Sequence, residues 1–107
     1  MRILLLLATF LTIGYSQCNS DNWESYAPNL DGCDLSFATI VGQDLSYYSL
    51  NDANLSDSNL GNSNFSYASM LNANMSGAYV GGASFEGALM CGVDLSLLLG
   101  NYSGAPT

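Results

Sequence analysis

Apolar side chains recur at every fifth position from residue 30 to residue 95: Leu30, Leu35, Ile40, Leu45, Leu50, Leu55, Leu60, Phe65, Met70, Met75, Val80, Phe85, Met90 and Leu95. The residue before each centre is mostly Asn, Asp, Ser or Thr, with Tyr79 and Leu89 as exceptions, and Ser often follows it. Two places before the centre the chain usually carries a small residue, as at Cys33, Ala38, Ala53, Ser58, Ser63, Ala68, Ala73, Ala78, Ala83 and Ala88. This period suits neither regular element. Five residues advance an α-helix by about 500°, which leaves successive centres about 140° apart with no common face. On a straight strand an odd step sends each centre to the opposite side. The chain must therefore turn within every repeat, and near-right-angled turns close a square coil after four of them.

A second period agrees with that closure. Asp34-Leu35-Ser36, Asn54-Leu55-Ser56, Asn74-Met75-Ser76 and Asp94-Leu95-Ser96 return after every fourth repeat, as do Phe65 with Phe85, Tyr47 with Tyr67, and Gly61 with Gly81. Residues one coil apart are expected to stack. On these residues the chain resembles the pentapeptide-repeat proteins, whose A-(D/N)-L-x-x units wind into a right-handed quadrilateral β-helix. The resemblance runs from about residue 28 to residue 97. It implies an all-β, parallel solenoid of about 3.5 coils over residues 28–99; the residues themselves mark a signal peptide at 1–16, a cap at 17–27 and a flexible tail at 100–107. Pro28, Gln43, Tyr48 and Val93 depart from the small inward position, and Gln43 with Tyr48 predicts a wider or distorted corner in the first coil.

The chain opens with one positive charge in Met1-Arg2, an apolar run from Ile3 to Ile13, and Gly14-Tyr15-Ser16. That is the layout of a secretory signal peptide cut after Ser16, and the run is too short to span a membrane. The expected location is secreted and extracellular, or periplasmic in a bacterium. Removing the signal removes Arg2, the sole basic side chain, and leaves nine acids with no Lys, Arg or His. Direct nucleic-acid binding and docking on anionic membranes both need cations and are excluded. No cofactor is expected, and no catalytic set can be assembled: a Ser or Cys nucleophile lacks its usual base, and zinc lacks its usual ligands. Asp34 and Asp94 share a side but sit three coils apart, too far for paired-carboxylate hydrolysis. Asp52 with Asp57, or Asp31 with Asp34, has no calcium-loop spacing.

Residues 17–27 lie outside the register and carry the single tryptophan; Trp23 and Tyr26 are expected to cover Leu30 and Leu35. Cys33 points inward on the first coil and Cys91 outward on the last, too far apart to pair. Two readings stand for Cys18: a disulfide with Cys33 that staples the cap, or a free thiol beside a buried Cys33. Asn54, Asn64, Asn74 and Asn101 each begin an Asn-x-Ser sequon, although the first three arise wherever a repeat reads Asn, centre, Ser. At the other end, Met75, Val80, Phe85, Met90 and Leu95 are expected to show apolar surface beside open strand edges. Leu89, Cys91, Leu97, Leu98 and Leu99 then either form a homodimer contact through the C-terminal coil, with a Cys91 to Cys91 bond, or leucines 97 to 99 fold back as a lid.

The expected function is that of a secreted, non-enzymatic scaffold meeting an unidentified protein or glycan, with Tyr47, Tyr67 and Tyr79 as outward aromatics. The resemblance implies one alternative, an acidic rod that mimics DNA and binds a topoisomerase-type or other nucleic-acid-binding protein.

Overall fold

The computed structural model describes residues 17–104; the expected signal peptide and the last three residues lie outside them. The chain winds as a right-handed square β-helix in which each side holds a single parallel bridge per coil. Asp34, Asn54, Asn74 and Asp94 form the ladder of the first side, and Thr39, Asn59, Tyr79 and Leu99 that of the second. Asp44, Asn64, Ser84 and Ser103 make the third, and Asn29, Ser49, Ser69 and Leu89 the fourth. The backbone bonds repeat in kind: Leu35 N–H donates to the Asn54 carbonyl (2.7 Å), and Asn54 N–H returns to the Cys33 carbonyl (2.9 Å). Pairing continues past residue 99, since Ser103 N–H donates to the Ala83 carbonyl and Phe85 N–H to the Ser103 carbonyl.

The corners explain the five-residue unit. Apart from Ile40, each centre's carbonyl accepts the N–H three residues on, as in Ala53 to Leu50 (3.2 Å). The residue two past each centre has positive φ while the one before it does not, the arrangement of a type II turn. That column holds Gly, Asn and Asp, which tolerate the left-handed region, but also Phe37, Tyr47, Tyr67 and Leu97. The polar residue before the centre secures the turn. Asn54 Oδ1 accepts the Ser56 N–H (3.0 Å) and the Ser56 hydroxyl (2.7 Å), and Asp34 and Asp44 hold Ser36 and Ser46 in the same way. On the fourth side the roles pass between coils: Asp31 Oδ1 accepts the Asn51 N–H, and Asn51 Oδ1 accepts the Leu71 N–H and the Ser69 hydroxyl.

Inside, the centres from Leu30 to Phe85 are buried with their small neighbours, and Phe65 stacks on Phe85 at 5.2 Å with rings 5° from parallel. The first-coil corner at Gln43 is distorted, as its sequence predicts. The direct turn bond to the Ile40 carbonyl is absent; the buried Ser63 hydroxyl enters from the next coil, donating to that carbonyl (2.6 Å) and accepting the Gln43 N–H (3.0 Å). Gln43 itself is exposed, while Tyr48 is half-buried against the core.

The two ends differ from each other. At the N-terminus a 3-10 turn over Trp23–Ser25 leads back to the coil, with Trp23 and Tyr26 packed on the core. Cys18-Asn19 occupies the place of a missing repeat under the first side: Asn19 bridges Asp34, and the Cys18 carbonyl accepts the Asp34 N–H (3.1 Å). At the C-terminus the expected opening of Met75, Val80 and Phe85 does not occur: the last coil pairs with the chain beside each of them, Asn74 with Asp94, Tyr79 with Leu99 and Ser84 with Ser103, and Tyr102 meets Phe85 edge-on at 5.5 Å. Only Met90 and Leu95 remain partly open, beside Leu98 in the small inward column. Leucines 97 to 99 do not fold back as a lid; they continue the coil, with Leu99 bridged to Tyr79.

Candidate binding surfaces

The three outward tyrosines do not share one surface. Tyr47 and Tyr67 occupy the same corner on successive coils and stack at 5.3 Å with rings 14° from parallel. Tyr67 in turn lies over Gly87, where a Cβ would stand 2.5 Å from the ring. The stack therefore runs along the coil axis over a glycine floor, with Tyr47 outermost and 75% exposed. Tyr79 lies on the second side, its ring and hydroxyl laid over Gly81 where a side chain would collide. In the bridge column it stands between Asn59 and Leu99.

The sequon asparagines are tied into the turns. Asn54, Asn64 and Asn74 are half-buried, each accepting the N–H of the serine two residues on, and the Asn54 and Asn64 amides donate to Asp34 and Asp44 one coil below (3.4 Å each). Asn54 and Asn74 sit on adjacent rungs of one ladder, about 4.8 Å apart, which leaves no room for two glycans side by side. Asn101 stands exposed near the end of the coil.

All nine carboxylates are exposed, and no cation faces them among the described residues. The Ser36 hydroxyl, followed by the Ser36 N–H, holds the Asp34 carboxyl below the usual aspartate value, and Ser46 does the same for Asp44. At Asp94 the Ser96 hydroxyl and then the Ser96 N–H (2.9 Å) act likewise, and that hydroxyl oxygen also lies 3.0 Å from Ser76 Oγ. These shifts come from turn hydrogen bonds and mark no reaction centre. Among the described residues no group of three acidic or Cys side chains is placed to hold a metal, and no helix is long and apolar enough to cross a membrane.

Cys18 and Cys33 are joined, with Cα atoms 4.8 Å apart, so of the two readings of Cys18 the structure has the staple. Cys91 is exposed as a free thiol. It lies near an apolar hollow in the last coil lined by Met75, Phe85, Met90, Leu95, Leu98 and Tyr102. Leu89, Leu97 and Leu99 are exposed around that end, whereas Leu98 is packed partly inward. Phe37, outside the expected set of outward aromatics, is 76% exposed in a left-handed conformation. Its signal was available: it is one of four large apolar or aromatic residues in a column otherwise filled by Gly, Asn and Asp.

A family model described as pentapeptide repeats matches the chain in eight copies, over residues 29–66, 44–79 and 68–96. Among solved structures, the chain is similar to a pentapeptide repeat protein from the Arabidopsis thaliana thylakoid lumen, at 22% identity and a TM-score of 0.52 over 65% of this chain and 63% of that one. It is also similar to HetL, a pentapeptide repeat protein involved in heterocyst differentiation regulation in the cyanobacterium Nostoc sp. strain PCC 7120. There the identity is 20% and the TM-score 0.45, over 66% of this chain and 48% of that one. The chain thus spans less than two thirds of either structure's length. No curated protein matches it.

Proposed function

The chain belongs to the pentapeptide-repeat family, and from that premise we propose that it is a secreted, non-enzymatic scaffold whose tyrosine corner meets a protein or a glycan. The observation that carries this reading is the Tyr47–Tyr67 stack. Both residues hold φ near +60°, which costs an L-residue roughly 1–2 kcal/mol and costs glycine nothing. Their mutual stacking returns about 0.5–1.5 kcal/mol, so folding alone gives little reason for aromatic rings at this corner. The outer face of Tyr47 is an apolar plate with Asp44, Ser46 and Ser66 close by in the chain, chemistry suited to the apolar face of a sugar ring or an aliphatic side chain. Export is supported by the charged-then-apolar start of the sequence and by the Cys18–Cys33 bond, which belongs to oxidising compartments.

The test is binding to a glycan array and to secreted-protein panels by the wild type and by the Tyr47→Asn, Tyr67→Asn double variant. Wild-type binding reduced tenfold or more in the variant, with the thermal midpoint preserved, supports the corner; unchanged binding rejects it. N-terminal sequencing of the chain from its producing cells should begin at Gln17, and a retained Met1 would reject export.

A second reading rests on charge. Nine exposed carboxylates, with no cation facing them among the described residues, would suit the basic groove of a nucleic-acid-binding protein. The ladder spacing favours it less, because neutral Asn54 and Asn74 separate Asp34 from Asp94 on the first side.

A further inference from the structure

The exposed large apolar side chains gather at the two ends of the coil. Apart from Tyr67 and Tyr79, they are Phe37, Val41 and Tyr47 on the first coil and Leu89, Leu95, Leu97, Leu99 and Tyr102 on the last. One corner column shows the arrangement most clearly: it reads Phe37, Asp57, Gly77, Leu97, all at positive φ. The interior members are the residue types such a turn favours. The end members are large, apolar and 76% and 79% exposed.

The backbone groups left open at the two ends are complementary. Among the described residues, the N–H groups of Leu95 and Leu97 and the carbonyls of Val93 and Leu98 carry no hydrogen bond. On the first coil the same holds for the carbonyls of Asp34 and Ser36 and for the Thr39 N–H. Within the coil these are the groups that consecutive turns exchange: Met75 N–H to Asp94, Gly77 N–H to Ser96, Asp94 N–H to Ala73 and Leu99 N–H to Ala78. A second copy set on the C-terminal end in the same register would receive Leu95 and Leu97 N–H on its Asp34 and Ser36 carbonyls. It would also bring its Phe37 over Leu97.

One feature of the fold stands in the way. The slot under Asp34 that Val93-Asp94 of another copy would fill is held by the chain's own Cys18-Asn19, and the Cys18–Cys33 bond fixes it there.

We propose that the N-terminal end of the coil is a docking surface for the C-terminal end of a second copy, and that the disulfide-held Cys18-Asn19 segment blocks it. A dithiol reductant supplies two electrons and two protons, becomes a disulfide itself, and leaves Cys18 and Cys33 as thiols. The segment then competes with a second copy by one bridge and the packing of Trp23 and Tyr26 alone, and parallel head-to-tail stacking proceeds. Open sheet edges invite such pairing unless something covers them, and a heterologous contact of this kind grows without closing.

The experiment is sedimentation velocity at several concentrations in a Cys91→Ser background, which removes cross-linking through the exposed thiol. The oxidised chain should stay monomeric. The reduced chain, and a Cys18→Ser variant without reductant, should form oligomers that grow with concentration and keep the far-ultraviolet β signal. Phe37→Asn at one end and Leu97→Asp at the other should each weaken association tenfold or more; both place turn-compatible residues in left-handed positions, so each folds. A reduced chain that remains monomeric overturns the proposal, as does equal association in both redox states or association with loss of β signal. Association weakened by Leu97→Asp but not by Phe37→Asn overturns it too, by showing a tail-to-tail contact.

Discussion

A single side chain in this protein has few roles open to it, because its position within the repeat decides whether it meets the core, a turn or water. Leu60 is fully buried between coils, whereas Ser56 is half-buried on the outer side with its hydroxyl on Asn54. Leu60→Asp places a carboxylate with no partner among Leu, Ile and Val side chains, at a cost of at least about 4 kcal/mol. Set against a stability of about 5–15 kcal/mol for a typical domain, that removes between about a quarter and most of it and should lower the thermal midpoint steeply. Ser56→Asp keeps the turn bond from its own N–H to Asn54 and should cost less than about 1 kcal/mol. Thermal melts of the two variants check the difference, and equal losses would contradict the inward and outward assignment.

The element of this fold is the corner, and its chemistry was only half legible in the sequence. The apolar centres, the small inward residues and the return after every fourth repeat could be read directly, since burial selects them strictly. The polar residue before each centre is visible as a column in the sequence, but its work at the Asn–Ser and Asp–Ser repeats, accepting the N–H two residues on, is not. The left-handed position was hidden by its mixed occupancy, because Gly, Asn and Asp satisfy it for different reasons and Phe37, Tyr47, Tyr67 and Leu97 break the pattern. Cys18-Asn19 could not be recognised as a stand-in repeat: it lacks an apolar centre, and Asn19 precedes Asp34 by an interval that the coil never uses. Nor could the Ser63 hydroxyl be foreseen, since it serves a turn in another coil.

The same corners give a pH dependence. Asp34, Asp44 and Asp94 have folded-state values lowered chiefly by the serine hydroxyls and then by the serine N–H groups. A depressed carboxyl contributes stability that is complete above its unfolded value near pH 4 and is lost as pH falls through the lower folded value. The three groups are exposed, so the effect is small and weakened by solvent screening. Melting temperatures measured between pH 6 and pH 2 should fall at the acid end in the wild type. The fall should be shallower in the Asp34→Asn, Asp44→Asn, Asp94→Asn variant, where amides keep the acceptor at every pH.

At the scale of the whole molecule the protein is a stack in which each coil touches only its neighbours, so stability accumulates coil by coil. A duplicate of residues 51–70 inserted after Met70 adds one coil in register and should raise the thermal midpoint, by roughly 4–8 °C for each kcal/mol gained. A duplicate of residues 53–70 at the same point breaks the five-residue step at the junction and should lower it. Calorimetry of both chains distinguishes the outcomes. The Asn–Ser and Asp–Ser turn bonds of the first and third sides carry a further consequence. Each is satisfied inside its own repeat, and the bonds that pass between coils on the fourth side join residues one whole coil apart. The gene can therefore lengthen or shorten the protein in whole coils while keeping this pattern of turn bonds, and length becomes a quantity that inheritance adjusts in fixed steps. Only the terminal segments, where Asn19 and Ser103 leave the common interval, decide where the counting stops.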